Sequence, residues 1–491
     1  MKASSVLLMS LCVVSAACKP TATSKQVVNI GGLTDQTGSL AAPSRFDAIR
    51  LAVSDFNSAL VKAKGYQELV FSPQLVDSQN DPTVATPRGI ALVVDAGCKA
   101  IISDSSNDSN ALNLLAYTAA DAGGIALSVP IIGIDTTSAN INNPNFPADA
   151  GSPAQVAAYH NDQHWLFRTV MALTDEAAIM VRLLGASPGG DVNGDGKLTV
   201  ALLGGNEPFG QSFVKYLTAD VQASFPGATI EHVLMPAVVD PNVFSWTNAA
   251  GWMQDALDET SCGPCTQTDC QCAGGSAATV SATPDLIVAA LYPQYAASMY
   301  AVSTAQAGTR VLQPHTFRFS SVLRQLAGKA NGAEGVSFIV AQSNASGDAF
   351  KSEMKASYQV AEMWDAQAYD AATLIMLATV YAAHANKLED ASQVTGTQIR
   401  DALSHLNVEG AQVVRVGPAE FTKGIDAILA GTPINYDGAS GPVDFDANGN
   451  VRDQFTHFTV KGGAFVDGEI YDCVADPVAC PCIANGGSSC P

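Results

Sequence analysis

Basic residues are scarce in this sequence: 25 Lys and Arg stand against 46 Asp and Glu, a formal net charge of −21. That deficit argues against nucleic acid as a partner, because phosphate contacts need clustered Lys and Arg. It argues equally against docking of a basic face on an anionic membrane. Charged residues make up only 14% and hydrophobic residues 47%, so the chain is not of the disordered class. No apolar run reaches the roughly 20 residues of a spanning helix. Enzyme signatures are missing as well: there is no H-E-x-x-H and no G-x-S-x-G. Gly196-Lys197 lacks the upstream Gly and the following Ser/Thr of a phosphate loop. His160 and His164 have the i, i+4 spacing of two metal ligands, but without a Glu motif they read as a polar loop or helix start. At 491 residues, two or three domains are expected, since single cores stop growing near roughly 250–300 residues.

What is present begins with an export address. Lys2, the apolar stretch Val6 to Val14 and the small residues Ser15-Ala16-Ala17 ahead of Cys18 have the layout of a signal peptide over residues 1–17. A Cys directly after the small residues resembles a bacterial lipoprotein signal, with Cys18 as the acylated first residue. Ser15 departs from that pattern, which prefers an aliphatic residue there. Residues 18–25 have the polar composition of a tether.

Cysteine usage agrees with export. Cys262, Cys265, Cys270 and Cys272 form one cluster, and Cys473, Cys480, Cys482 and Cys490 close the chain. The first cluster could ligate zinc by residue type, but in an oxidising compartment even-numbered clusters read as disulfides. Pairing within each cluster stays open, with three arrangements for four cysteines. Cys98 lies alone in an apolar stretch and reads as an inert buried thiol.

Between these features short β-rich runs alternate with amphipathic helices. Val27–Gly31 is expected as a strand, and Ile49, Val53, Phe56 and Leu60 then share one helix face. Strands are expected at Leu69–Val76, Lys99–Ser103 and Val129–Ile134, with helices over Pro82–Ala96 and Ala111–Ala122. The rhythm restarts at Leu198–Gly204 and continues through Ala228–Leu234, Asp285–Ala290 and Gly335–Val340. A long helical stretch follows at Met363–Leu388, and β-like segments at Gly441–Asp446, Phe455–Val460 and Ala464–Val466 end the chain. Such alternation implies α/β lobes with mainly parallel sheets covered by helices.

Several stretches resemble one family. Asn29-Ile30-Gly31-Gly32-Leu33-Thr34-Asp35-Gln36-Thr37-Gly38 looks like the opening strand and T-G loop of the leucine/isoleucine/valine-type periplasmic ligand-binding proteins. Leu51–Asn57 resembles the family's next helix, Asp77–Pro82 its D-x-x-x-D-P turn, and Phe167-Arg168-Thr169 its crossing into the second lobe. Phe209-Gly210-Gln211 is similar to its Y-G-Q turn, and Gly441–Gly449 to its G-x-x-x-F-D-x-x-G motif. The motifs run in order over about residues 26–470. The resemblance implies a type I periplasmic binding protein fold: two α/β lobes, joined by a three-strand hinge, with the ligand in the cleft between them. Lobe one would combine residues 26–167 with 341–440, and lobe two 168–340 with 441–472; residues 473–491 would be a Cys-rich tail.

The resemblance also implies site residues. Loops after lobe-one strands would offer Ser106, Asn107, Ser109, Thr136 and Thr137 to a ligand carboxylate, although Ser, Thr and Asn equally suit helix caps there. Tyr292 follows a lobe-two strand where the family tends to place an aromatic. Two departures stand out. The region of His315–Phe319 has no acid to hold an ammonium, and Arg318 there would favour an anion. Asp135 places a negative charge beside the carboxylate loop, which hinders an anion unless it pairs. Asp191, Asn193 and Asp195 match positions 1, 3 and 5 of a calcium loop, but position 12 is Leu202, so a structural Ca2+ would lack its strongest ligand. A Gly/Asn/Asp turn is the plainer account. No cofactor is required.

The resulting expectation is an exported, lipid-anchored protein, not an enzyme, that captures a small polar, amino-acid-like or carboxylate-bearing ligand for an ABC transporter permease. A ligand-sensing receptor of the same fold and an extracytoplasmic hydrolase are the alternatives.

Overall fold

The computed structural model describes residues 25–37, 41–104, 109–119, 126–146, 153–185, 191–192, 194–206, 208–236, 284–293, 296–297, 300, 304, 309–476, 480 and 482–483. Cys18, Ser106, Asn107, Asn193, the cluster Cys262 to Cys272, the Cys482 side chain and Cys490 lie outside the described residues.

The first sheet is built from β1 (Gln26–Thr34), β2 (Leu69–Asp77), β3 (Ile101–Ser103), β4 (Ile131–Gly133) and β5 (Leu166–Arg168), all parallel, in the order β2-β1-β3-β4-β5. Helix α1 (Ser44–Leu60) buries Ile49, Val53, Phe56 and Leu60 as the predicted stripe, with Phe56 edge-on to Phe71 of β2. The opposite face is covered by α2 (Pro82–Val94), α3 (Ser109–Ala119) and α4 (Pro153–His160), around Leu92, Leu114 and Ile131. Cys98 lies in that layer, where burial pushes its thiol up to about 12, the state of an unreactive core residue.

The second sheet starts with the parallel strands β6 (Thr199–Asn206), β7 (Thr229–Pro236), β8 (Leu286–Ala290), β9 (Arg310–Gln313) and β10 (Glu334–Phe338). α5 (Thr174–Gly185), α6 (Pro208–Ser224) and α7 (Ser320–Leu326) accompany them. The chain then returns to the first core through α8 (Ala345–Ser357), α9 (Asp365–Ala385), α10 (Gly396–Leu403), the strand pair β11 (Gln412–Val414) and β12 (Ile434–Tyr436), and α11 (Pro418–Leu429). α9 is buried on every side from Asp365 to Val380, mostly by apolar residues, as a helix in the middle of a core is, and its buried Asp370 is fully hydrogen-bonded. The antiparallel strands β13 (Gln454–Lys461), β14 (Ala464–Asp472) and β15 (Cys482–Ile483) complete the second sheet, in the order β15-β14-β13-β10-β9-β8-β6-β7. A disulfide joins Cys473 to Cys480, and Arg182 of α5 donates to the Cys480 carbonyl at 2.9 Å, holding the start of the tail against α5.

Gly441–Asp446 is irregular chain, not the strand that its sequence suggests. The backbone just before it is bound by a side chain: Asp370 of α9 accepts from the N–H groups of Ala439 and Ser440, at 2.8 and 2.7 Å. Satisfied in this way, that approach has no need of a ladder partner.

Three crossings join the halves: Ile339 N on the second donates to the Gln454 carbonyl after the third at 3.3 Å, and Gln367 at the start of α9 bridges the first and the third. Thr169 Oγ1 donates to the Gln367 carbonyl at 3.1 Å, and Gln367 Nε2 donates to Asp453 Oδ2 at 3.4 Å. Arg168 N donates to the Gly449 carbonyl at 3.0 Å. Gly449 has φ +82°, and a Cβ there would lie 2.8 Å from the Leu166 carbonyl, so the last Gly of the F-D-x-x-G motif is dictated by backbone approach.

Candidate functional site at the carboxyl ends of both sheets

The register of β1, β3 and β4 brings their carboxyl ends level, Leu33 opposite Ser103 and Ser103 opposite Gly133. Each strand is followed by an aspartate, Asp35, Asp104 and Asp135, and all three are buried. Arg45, in the first turn of α1, lies fully buried among them. Its Nη1 pairs with Asp104 Oδ2 and stands 3.7 Å from Asp135 Oδ2. Asp135 therefore has the cationic partner that the sequence left open. Asp35 accepts from Ser78 Oγ and Asn80 N, and burial pushes its carboxyl up to about 7 against the pull of Arg45.

The second half contributes rings. Phe209 opens α6 after β6, Tyr292 follows β8, and His315 follows β9. Phe209 lies 6.5 Å from Tyr292 in a stacked arrangement and 5.2 Å from His315. His315 is fixed by Glu176 of α5, which accepts from the His315 N–H at 2.7 Å and meets its Nδ1 at 2.6 Å. Trp364 joins the two sets: it lies beneath the Arg45 guanidinium at 5.0 Å and edge-on to His315 at 5.7 Å. It holds φ +71°, a costly conformation for a bulky residue and one that recurs at functional sites.

Several buried polar atoms here have no hydrogen-bond partner among the described residues: Arg45 Nε and Nη2, Ser103 Oγ, Trp364 Nε1, the Gln313 amide and Thr316 Oγ1. Such orphans are rare in folded proteins, and they gather around the carboxyl ends of strands in both halves.

Of the residues singled out by resemblance, Thr136 and Thr137 are buried directly after Asp135, with the Thr136 carbonyl accepting from Arg168 Nη1 at 3.1 Å. Tyr292 joins the aromatic set, while Ser109 begins α3. Arg318 is engaged elsewhere: its Nη2 pairs with Asp467 at 2.7 Å and its Nη1 donates to the Phe338 carbonyl at 3.0 Å. The Asp191 carboxylate accepts from the N–H groups of Gly194, Asp195 and Gly196, the pattern of a self-satisfied turn, and Asp195 accepts from Lys197 N. Arg45 escaped the sequence reading although its position carried a signal. It stands one turn before Ile49, on the apolar stripe itself, where an arginine needs a partner.

No family model matches the sequence, and no curated protein matches it. Among solved structures the chain is similar to a leucine-binding protein (LivK) from Thermotoga maritima, at 12% identity, covering 90% of this chain and 98% of that one with a TM-score of 0.60. It is also similar to the branched-chain amino acid substrate-binding protein LivJ of Streptococcus pneumoniae, solved with isoleucine, at 16% identity over 90% and 99% of the two chains, TM-score 0.57. A third likeness, at 16% identity, 94% and 99% coverage and TM-score 0.56, is to an ABC transporter solute-binding protein of R. palustris in complex with benzoate. This is the type I periplasmic binding protein fold. At these identities the likeness establishes the fold. In this fold the Asp35/Asp104/Asp135 set and the Phe209/Tyr292/His315 set stand at the strand ends where open α/β sheets take their ligands. Among the described residues, no helix is long and apolar enough to cross a membrane.

The buried acids give stability a pH signature. Burial raises Asp35 and Asp365 to about 7, and Asp55, Asp175 and Asp370 to about 6. A raised pKa means that the protonated form suits the fold, so the contribution is complete below the unfolded value and lost as pH climbs through 6–7. Glu334 works the other way. Burial would raise it, but hydrogen bonds from His457 and Arg310 outweigh that and hold it at about 2, so its contribution fades only in acid. The melting midpoint should therefore fall between pH 5 and pH 8 at fixed ionic strength. A flat or rising midpoint would contradict this assignment of the acids.

Proposed function

We propose that the chain is an extracytoplasmic solute-binding protein that captures a small polar ligand, amino-acid-like or carboxylate-bearing, between its lobes and hands it to an ABC transporter permease. The observation that supports this reading is the gathering of orphaned buried polar atoms at the strand ends of both halves, Arg45 and Ser103 in one, Gln313 and Thr316 in the other. Groups of that kind are satisfied when a polar ligand enters and the lobes close on it. The mechanism is binding and closure, with no covalent step. The neighbours in fold are binding proteins for amino acids and aromatic acids, which points the same way.

The test is a thermal-shift screen of protein denatured and refolded to strip any carried ligand. Its panel holds amino acids, amides, dicarboxylates, aromatic acids and short peptides. A ligand at about 100 times its Kd should add about 2.7 kcal/mol, a visible shift. Silence across the panel would overturn capture of these classes. Export and attachment through a lipid on Cys18 belong to the same reading: Cys18→Ser should move the protein from the membrane fraction to the soluble one, and unchanged attachment would sink that idea.

A further inference from the structure

The three aspartates at the ends of β1, β3 and β4, with Trp364 beside them, would by themselves make a socket for an organic cation, since acids and an aromatic face are what an ammonium seeks. In this chain the socket is already filled. The Arg45 guanidinium pairs with Asp104, approaches Asp135 and lies on Trp364. An ammonium would have to displace a covalently tethered guanidinium.

Arg45 itself is left incomplete. It uses Nη1 for the acids, while Nε and Nη2 have no acceptor among the described residues although the side chain is wholly buried. Those two atoms form one edge of the guanidinium, the edge that holds a carboxylate by two parallel hydrogen bonds. The other orphans nearby include two donors, the Trp364 indole N–H and Gln313 Nε2, and the hydroxyls of Ser103 and Thr316, which can donate, beside the acceptors Asp35 Oδ2, Asn80 Oδ1, Gln313 Oε1 and Asp365 Oδ1. An acceptor on the guest answers the donors among them, and the rings of Trp364, His315, Phe209 and Tyr292 suit an apolar or aromatic body behind it.

On the solute-binding reading above, we infer that Arg45 sets the ligand class: its Nε/Nη2 edge anchors the carboxylate of an organic acid, and its occupation of the acidic socket excludes the ammonium of an amino acid. The nearby acids oppose an incoming anion, and Asp35 relieves that opposition by taking a proton. The groups facing Asp35 are Arg45 of α1, Asp104 after β3, Asp135 after β4, and Ser78 and Asn80 after β2. Its carboxyl already stands at about 7, and a neighbouring anion raises it further, so acid binding takes up a proton and tightens as pH falls from 8 to 6.

Matched pairs that differ only in the ammonium test this by calorimetric titration of the refolded full chain: 4-methylpentanoate against leucine, 3-phenylpropanoate against phenylalanine, with benzoate alongside. The acid of a pair should bind roughly tenfold tighter or more, with proton uptake seen as a buffer-dependent enthalpy. Removing the charge at Arg45 strands Asp104 and Asp135, so the variant of choice is Arg45→Lys, which keeps the charge but loses the fork. It should melt as a folded protein and weaken the acids roughly tenfold or more. Tighter binding of the amino acids, unchanged acid affinity in Arg45→Lys, or binding confined to uncharged compounds would each overturn the assignment while leaving solute capture intact. Binding of no compound at all would overturn both.

Discussion

Replacing Arg168 by Met should lower the unfolding free energy by about 3–4 kcal/mol, and ligand binding should weaken in whatever protein still folds. Arg168 ends β5 and is buried at the first crossing. Its Nε donates to Asn450 Oδ1 at 2.7 Å on the third crossing. Its Nη1 donates to the carbonyls of Thr136 at 3.1 Å and Ser138 at 2.9 Å, in the loop that carries Asp135. One side chain thus fixes the loop after β4 against the hinge. Met fills much of the volume but strands these acceptors in the interior, and each unsatisfied polar group costs about 1–3 kcal/mol. Denaturant unfolding measures the first effect and titration the second. A loss under about 1 kcal/mol would mean that water or another residue serves these carbonyls instead.

Asp370→Asn should cost about 3 kcal/mol, nearly as much as Asp370→Ala, despite being the gentler change. In the core of α9 the carboxylate accepts from Tyr436 Oη at 2.7 Å, Ala439 N at 2.8 Å, Ser440 N at 2.7 Å and Ser440 Oγ at 2.6 Å. An amide places an N–H2 where an acceptor is needed, so it faces another donor whichever way it is turned. The segment it organises leads from β12 into the last crossing, so the hinge should loosen as well. Equal stability of the Asp370→Asn variant and the wild type in urea would refute the account.

Both predictions rest on groups that sequence periodicity does not reveal. Strand and helix identity along 26–134 followed from alternating apolar runs and the 49/53/56/60 stripe, because local pattern and final burial agree there. The motif Gly at 449 was legible as a motif, and the close approach to Leu166 is its cause. Asp370 and Arg168 sit in stretches that read only as helix and as crossing; their partners lie 66 to 70 residues away for Asp370 and up to 282 residues away for Arg168, and only the tertiary fold brings them together. The same holds for the site. Thr136, Thr137 and Tyr292 were indicated by resemblance. Arg318 was indicated too, yet Asp467 on β14 takes its charge. The arginine at the strand ends is Arg45, supplied by a helix that looked wholly structural.

Capture by closure is tested by small-angle X-ray scattering of the refolded full chain, recorded with and without a saturating amount of the tightest compound from the screen. A smaller radius of gyration on one-to-one binding, with the compound recovered unchanged, is the result this account predicts. Binding with no contraction, or conversion of the compound into product, would contradict it.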